Sequence, residues 1–255
     1  MRDLLEAVAA GELSPEAAQA QLQGYVVGES GRFDATRETR SGVPEAVLAE
    51  GKTPTEVADL IATGLETTGR AIATRLTPDH REAVHDHLDE SHPEATIEDD
   101  QRARTLVARA PDFESPNLDA TVGVVTAGTS DAIPAGEATT LLEEMGASVE
   151  RIDDIGVASL ARMLDQLGVL REQDVLIVAA GREGALPTVI AGLVDVPVIG
   201  LPVSTGYGHG GEGEAALSGM VQSCTALSVV NVDAGFTAGA QAGLIARQLD
   251  DARES

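Results

Sequence analysis

The residues best suited to chemistry lie in three turns of the second half of the chain, each following an apolar run: Gly128-Thr129-Ser130-Asp131, Gly181-Arg182-Glu183-Gly184, and the stretch from Ser204 to Gly213. Glycine lets a backbone approach a ligand. Ser130, Asp131 and the amides of a helix that follows them could hold a phosphate or ribose hydroxyls. A simple helix N-cap by Ser130 or Asp131 explains the same residues equally well. Glu183 sits directly beyond an apolar strand pattern, where partial desolvation raises a carboxylate towards a useful general base. The plainer alternative is that it favours the positive end of the next helix. Cys224 is the only cysteine, which excludes an internal disulfide, and taken alone it reads as an inert core thiol. Gly208-x-Gly210-x-x-Gly213 formally matches a dinucleotide fingerprint, but it lies several residues beyond a late strand and contains Glu212, which would repel a pyrophosphate. A glycine-rich loop that folds over a ligand is the more modest reading.

The elements that must position these turns are legible. Apolar strand patterns at 121–126, 147–152, 174–180, 196–201 and 227–232 alternate with helical patterns at 131–145, 157–167, 184–193, 211–224 and 234–250. Runs such as Val175–Ala180 lack polar alternation, as strands covered on both faces by crossover helices must. The expected fold is α/β, a five-stranded doubly wound parallel sheet of flavodoxin-like order, with ligands at the carboxyl ends of the strands.

Upstream, a smaller, mainly helical α+β domain is expected over 1–90, a linker rich in Glu, Asp, Pro and Ser over 91–117, and the α/β domain over 118–255. Helices are predicted at 1–10 and 14–27, the second with Ser14 as N-cap, then at 44–50, 54–68 and 78–88, with a short strand at 71–76. The capping box Thr53-x-x-Glu56 starts the 54–68 helix. Gly51-Lys52-Thr53 mimics the end of a phosphate-binding loop, but Ala46 stands where that motif needs glycine. Arg37 and Arg40 read as a carboxylate or phosphate clamp or, more simply, as surface ion pairs. His85, His87 and His92 suggest metal only weakly, since no cysteine is near; a solvated helix end accounts for them, and the metal ligands stay unknown.

The chain has 255 residues, 42 acidic against 17 basic, and a formal charge of −25. Nucleic acids and anionic membranes are excluded as partners, because neutralising phosphates needs clustered Lys and Arg, and aromatics for base stacking make up only 2% of residues. Lys52 is the only lysine. An acidic surface with Arg as its cation points to a cytoplasm of very high salt, where self-repulsion is screened. No leader pattern and no run of 18 apolar residues is present, so a soluble cytoplasmic protein is expected.

The segments GTSD, AAGREGALPTVIAGLVDVPVIGLPVSTGYG, GGEGEAALSGMVQSC and VVNVDAGFTAGAQAG closely resemble the LarB family, pyridinium-3,5-biscarboxylic acid mononucleotide synthases of nickel-pincer cofactor biosynthesis. The likeness is dense over 121–247 and extends upstream to Asp34-x-x-Arg37-x-x-Arg40-x-Gly42-x-Pro44-Glu45 and Gly51-Lys52-Thr53-Pro54. The carboxyl-terminal part also looks like aminoimidazole ribonucleotide carboxylases, but their histidine after the second strand has no counterpart in Asp153-Asp154-Ile155-Gly156-Val157. The resemblance implies carboxylation of nicotinic acid adenine dinucleotide at carbon 5 of its pyridinium ring, from CO2 or bicarbonate, with hydrolysis of the phosphoanhydride to release AMP. It implies Cys224 as the nucleophile that adds to the ring and Glu183 as the base that removes the carbon-5 proton. Ser130 and Asp131 would contact ribose and phosphate, and Gly128, Gly181, Gly184, Ser204, Gly206 and Tyr207 would line the pocket. Mg2+ is the expected cofactor, held by substrate phosphates and water. A homo-oligomer, an octamer in the fullest form of the resemblance, is expected too. A purine-type carboxylase or mutase and a non-catalytic nucleotide-binding protein are the alternatives.

Overall fold

The computed structural model describes residues 24–254 apart from 29, 207 and 208, together with residues 6, 8–11, 15, 18 and 22. Most of the two helices predicted over 1–27 therefore lies outside the described residues. The chain divides into two compact units, Met1–Glu114 and Ser115–Ser255.

The first unit is built on a sheet of order β3-β4-β6-β5, comprising β3 (Ala46–Leu48), β4 (Arg70–Thr74), β5 (Thr96–Asp100) and β6 (Thr105–Arg109). β3 runs parallel to β4, and β4–β6 and β5–β6 are antiparallel. A hairpin of β1 (Val26–Gly28) and β2 (Gly31–Phe33) precedes a short helix, α1 (Arg37–Ser41). Helix α2 (Pro54–Thr68) has the expected capping box, with Thr53 Oγ1 accepting from the Glu56 N–H and the Glu56 carboxylate accepting from the Thr53 N–H. It buries Val57, Leu60, Ile61 and Leu65 against the sheet, while α3 (Pro78–Ser91) contributes Val84 and Leu88 to the same core.

Two expectations need correction here. The segment 44–50 holds the short strand β3 (Ala46–Leu48) rather than a helix, because it is too short for stable turns and its buried Val47 pairs with Ala73 on β4. The segment 91–117, expected to be a linker, supplies β5 and β6. The alternating pattern of Thr96–Asp100 and the apolar Leu106, Val107 and Ala108 carry a ladder that the acidic composition masks. Arg37 and Arg40 form ion pairs with Glu45 and Asp34, as the simpler reading has it.

The second unit is a five-stranded, all-parallel sheet of β7 (Thr121–Thr126), β8 (Ser148–Ile152), β9 (Val175–Ala180), β10 (Val198–Pro202) and β11 (Ser228–Val229), in the order β11-β10-β9-β7-β8. Counted within the sheet, that is the 2-1-3-4-5 arrangement of flavodoxin-like folds. Every residue of β9 and β10 is buried. One face packs on α4 (Ala132–Glu144) and α9 (Gly235–Arg253) through Val122, Val124, Ile177, Ala138 and Ala242. The other face packs through Val178, Leu186, Ile190 and Met220 on α7 (Ala185–Ala191) and α8 (Glu214–Val221), and through Met163 and Leu170 on the short α5 (Leu160–Asp165) and α6 (Leu167–Arg171). Helix α8 starts three residues later than its pattern suggests, because Gly213 takes a left-handed φ of 82° that a helix cannot contain.

Candidate active site at the switch point of the sheet

Strand β7 leads to β8 on one side and lies beside β9 on the other, so the connections diverge between β7 and β9. A crevice must open outside the carboxyl ends of those strands. A cavity of ≈420 Å³ lies there. Gly128, Ser130 and Asp131 after β7, Gly156 and Val157 after β8, Gly181, Arg182 and Glu183 after β9, and Thr205 after β10 all contribute to it. A second cavity of ≈260 Å³ shares Arg182, Glu183 and Thr205 and is otherwise walled by Gly206, His209, Gly210, Gly211 and Gly213. The two adjoin across Glu183.

The floor is set by Asp131. Residues Thr129–Asp131 form a 3-10 turn, in which the Asp131 carboxylate turns back to accept from the Gly128 N–H at 2.8 Å while Ser130 Oγ donates to it at 3.3 Å. Asp131 is only 3% exposed. Burial raises its pKa, and the bonds from Gly128 and Ser130 offset only part of that effect. The Asp131 side chain therefore shapes the loop, and Ser130 is the group at that edge left to meet a ligand. Thr205 Oγ1 donates to the Ser130 carbonyl at 3.5 Å, tying the β10 loop to the β7 loop.

The turn after β9 is held by close backbone approach. A Cβ on Gly181 would lie 2.4 Å from the Thr205 carbonyl oxygen, and one on Gly184 would lie 2.6 Å from the Ala216 carbonyl oxygen. Gly184 and Arg182 both adopt left-handed φ values, 64° and 54°. For arginine such a backbone is strained and needs surrounding structure to hold it. It turns a cation into a cleft of a chain rich in carboxylates.

The predicted residues divide as follows. Gly128, Ser130, Asp131, Gly181 and Glu183 line the larger cavity, and Gly206 lines the smaller one. Gly184 stands behind the wall, packed on α8. Ser204 lines neither cavity; its N–H donates to the Asp233 carboxylate at 2.9 Å. Tyr207 lies outside the described residues. Glu183 is exposed rather than partly desolvated, because it projects from the lip of the turn, beyond the described elements of the second unit. Cys224 is exposed too, so it is not a core thiol: it falls in the open turn between α8 and β11. It lines neither cavity. Thr225 beside it approaches Gly192, the residue closing α7, whereas Glu183 precedes the start of that helix. The two ends of α7 are roughly 12 Å apart along its axis. Within one chain, then, the carboxylate lies at the carboxyl ends of the parallel strands and the thiol at their amino ends.

Arg182, Thr205 and His209 fall within the turns expected to carry chemistry, but no role was assigned to them there. Arg182 had a readable signal, a basic residue at a strand end in an acidic chain. Thr205 and His209 had only their place in the stretch from Ser204 to Gly213, where nothing in the residue types set them apart as the side chains that line the cleft. Among the described residues, no three His, Cys, Asp or Glu side chains converge as a protein cage for a cation would require.

Residues 121–254 match the AIR carboxylase family, and residues 27–110 match the LarB/PurE-like N-terminal domain. The chain belongs to the LarB family. Its carboxyl-terminal unit is accordingly of carboxylase type. A full-length relative is the "Uncharacterized protein MJ0165" of Methanocaldococcus jannaschii, 38% identical over 254 residues and covering 97% of each chain. Among solved structures, a single-site variant of Treponema denticola PurE2 aligns at 18% identity over 55% of this chain and 94% of its own, with a TM-score of 0.39. Among the described residues no helix is long and apolar enough to cross a membrane.

Proposed function

We propose that this LarB-family chain carboxylates the pyridinium ring of nicotinic acid adenine dinucleotide at carbon 5 and hydrolyses its phosphoanhydride, giving pyridinium-3,5-biscarboxylic acid mononucleotide and AMP. The observation that carries the reading is the pair of cavities joined at Glu183, with room for the two halves of a dinucleotide and a carboxylate between them. Arg182 suits an anionic substrate, and the Ser130 hydroxyl suits its ribose or phosphate.

A pyridinium ring is electron-poor, so carbon 5 does not attack CO2 until electrons enter the ring. The Cys224 thiolate forms a C–S bond with the ring, and the displaced π pair moves to the ring nitrogen and creates an enamine. The enamine carbon attacks CO2, forming the C–C bond and returning positive charge to nitrogen. Glu183 removes the carbon-5 proton, and the pair left behind re-forms the enamine. The nitrogen lone pair then expels the thiolate and restores aromaticity. Water cleaves the phosphoanhydride. Among the described residues the side chains form no cation cage, so Mg2+ would be carried there by the substrate phosphates and water, and no step is assigned to it.

The thiolate and the base must meet at one ring, yet in one chain they stand at opposite ends of α7. The exposed Cys224 therefore enters the cleft of a neighbouring copy, and Val221, 64% exposed on the last turn of α8, supplies apolar surface for that contact. The site is incomplete in a monomer. A purine-type reaction is disfavoured because Gly156, Val157 and Ala158 line the cavity and none is histidine.

The test is an incubation of purified protein with the dinucleotide, bicarbonate and Mg2+ at several salt concentrations, with aminoimidazole ribonucleotide in parallel. Mass spectrometry should show the dicarboxylated mononucleotide and AMP. An unchanged dinucleotide throughout overturns the reading, and turnover of the imidazole alone replaces it with the purine-type reaction.

A further inference from the structure

The first unit holds a cleft of ≈530 Å³ that the proposed reaction does not use, bounded by Thr77 and Pro78 at the start of α3, Arg81 and His85 on α3, Asp99 on β5, and Gln101 and Arg104 in the turn before β6. Its volume is that of an ordinary small-molecule pocket. Arg81 is 9% exposed, its guanidinium set against the Asp99 carboxylate and donating to the Asp100 carbonyl at 3.1 Å. Arg104 donates to the carbonyls of Leu76 and Arg75, at 2.9 and 3.2 Å, and has no carboxylate partner among the described residues. The cleft thus sets two guanidinium groups side by side, Arg81 against the carboxylates of Asp99 and Asp100 and Arg104 with none among the described residues, in a chain whose formal charge is −25.

The backbone is bent to achieve this. Arg104 and Arg75, the residue whose carbonyl it binds, both sit at left-handed φ, 60° and 59°. Non-glycine residues in that region are strained and persist where surrounding structure enforces them. Burial lowers the pKa of Arg81; the Asp100 charge opposes this, and the smaller effect of Arg104, a like charge close by in a partly dry setting, adds to it. An anion placed between them would relieve that repulsion. Carboxylates and phosphates match the fork of a guanidinium, which presents parallel N–H donors.

We propose that this cleft is a binding site for a small-molecule oxyanion, a carboxylate or a phosphate, held between Arg81 and Arg104 with Gln101 and His85 at its mouth. The site belongs entirely to the first unit, and it does not depend on the reaction assigned to the second.

The experiment uses histidine-selective NMR of the full-length protein titrated with inorganic phosphate and, separately, acetate, at ionic strength fixed with KCl. His85 lines this cleft and His209 lines the other one, so their resonances report on the two sites independently. The expected result is a saturable shift of the His85 signal with phosphate, acetate or both, and the stronger of the two identifies the ligand class. Arg104→Gln should weaken that affinity at least about 10-fold, the loss of one charge-assisted contact. Should Arg104→Gln not fold, His85→Glu serves instead. It puts a carboxylate at an exposed part of the rim, assigns the His85 resonance by its absence, and should abolish the binding heat in calorimetry. The proposal is overturned if His85 shifts with neither anion, if KCl alone reproduces the shift, or if both variants bind like the wild type.

Discussion

Replacing Gly181 with alanine tests whether the turn after β9 is the hinge of the site. The new methyl would sit 2.4 Å from the Thr205 carbonyl oxygen and 3.4 Å from that of Val203, and ordinary contact begins near 3.4 Å. Both neighbours are backbone, so no side chain can rotate away, and the turn carrying Arg182 and Glu183 must retreat by about 1 Å from the loop carrying Thr205. A shift of that size at a reacting group costs on the order of 100-fold in kcat/KM. Overpacking of this kind removes about 1–3 kcal/mol of stability. The assay is the time course of dicarboxylated mononucleotide by mass spectrometry, paired with a circular-dichroism melt. Gly128→Ala is the internal control for stability: it lies in the same cleft, but its added methyl would find its nearest neighbour, Ser130 Oγ, at 3.9 Å, and the variant should melt like the wild type. A Gly181→Ala protein with wild-type kcat/KM and an unchanged melt would refute the argument, because the backbone would then have absorbed the methyl without moving the site.

Mixing Cys224→Ala with Glu183→Gln, each inactive alone, should restore about one quarter of wild-type turnover after subunit exchange, since a random assembly pairs an intact thiol with an intact carboxylate at that frequency; no recovery, with both variants shown to exchange, places the two residues in one chain. Asp174 is bonded to Arg253 and to the Thr121 N–H, and although burial pushes its carboxyl upward those bonds win and hold it below the ordinary 3.8. Its contribution to stability is therefore full above that value and lost as pH falls through the lower folded value, so the Tm difference between wild type and Asp174→Asn should be widest near neutrality and close in acid. A gap that stayed constant down to the acid limit would contradict this. With 42 acidic side chains, the protein should melt at a higher temperature in about 2 M than in about 0.1 M KCl, as screening removes self-repulsion; a flat or falling salt dependence would oppose the high-salt reading.

The parallel sheet was legible because its central strands β7, β9 and β10 are buried on both faces and need unbroken apolar sequence, as in Val175–Ala180, with a glycine in the loop that follows each. The first unit was harder to read. Its β5 carries Glu98, Asp99 and Asp100 and its β3 is three residues long, so neither announces itself by hydrophobicity, and only pairing with β4 and β6 fixes them as strands. At the site, residue types identified Ser130, Asp131, Gly181 and Glu183 as neighbours across two loops. The separation of Glu183 from Cys224 could not be read in the same way, because sequence spacing does not show how far apart two turns at opposite ends of the strands stand until the path of α7 and α8 is known.

The walls around Glu183 are largely main chain. Gly181 abuts Thr205, Gly184 abuts Ala216, and Gly219 abuts the carbonyl of Glu183 itself, in each case too closely for a side chain. A cleft so framed offers evolution few adjustable parts: the scaffold tolerates little drift, and a change of substrate must come through the handful of side chains that project inward. Relatives acting on different molecules should accordingly share these bare contacts and diverge at the counterparts of Ser130, Arg182, Glu183 and Thr205.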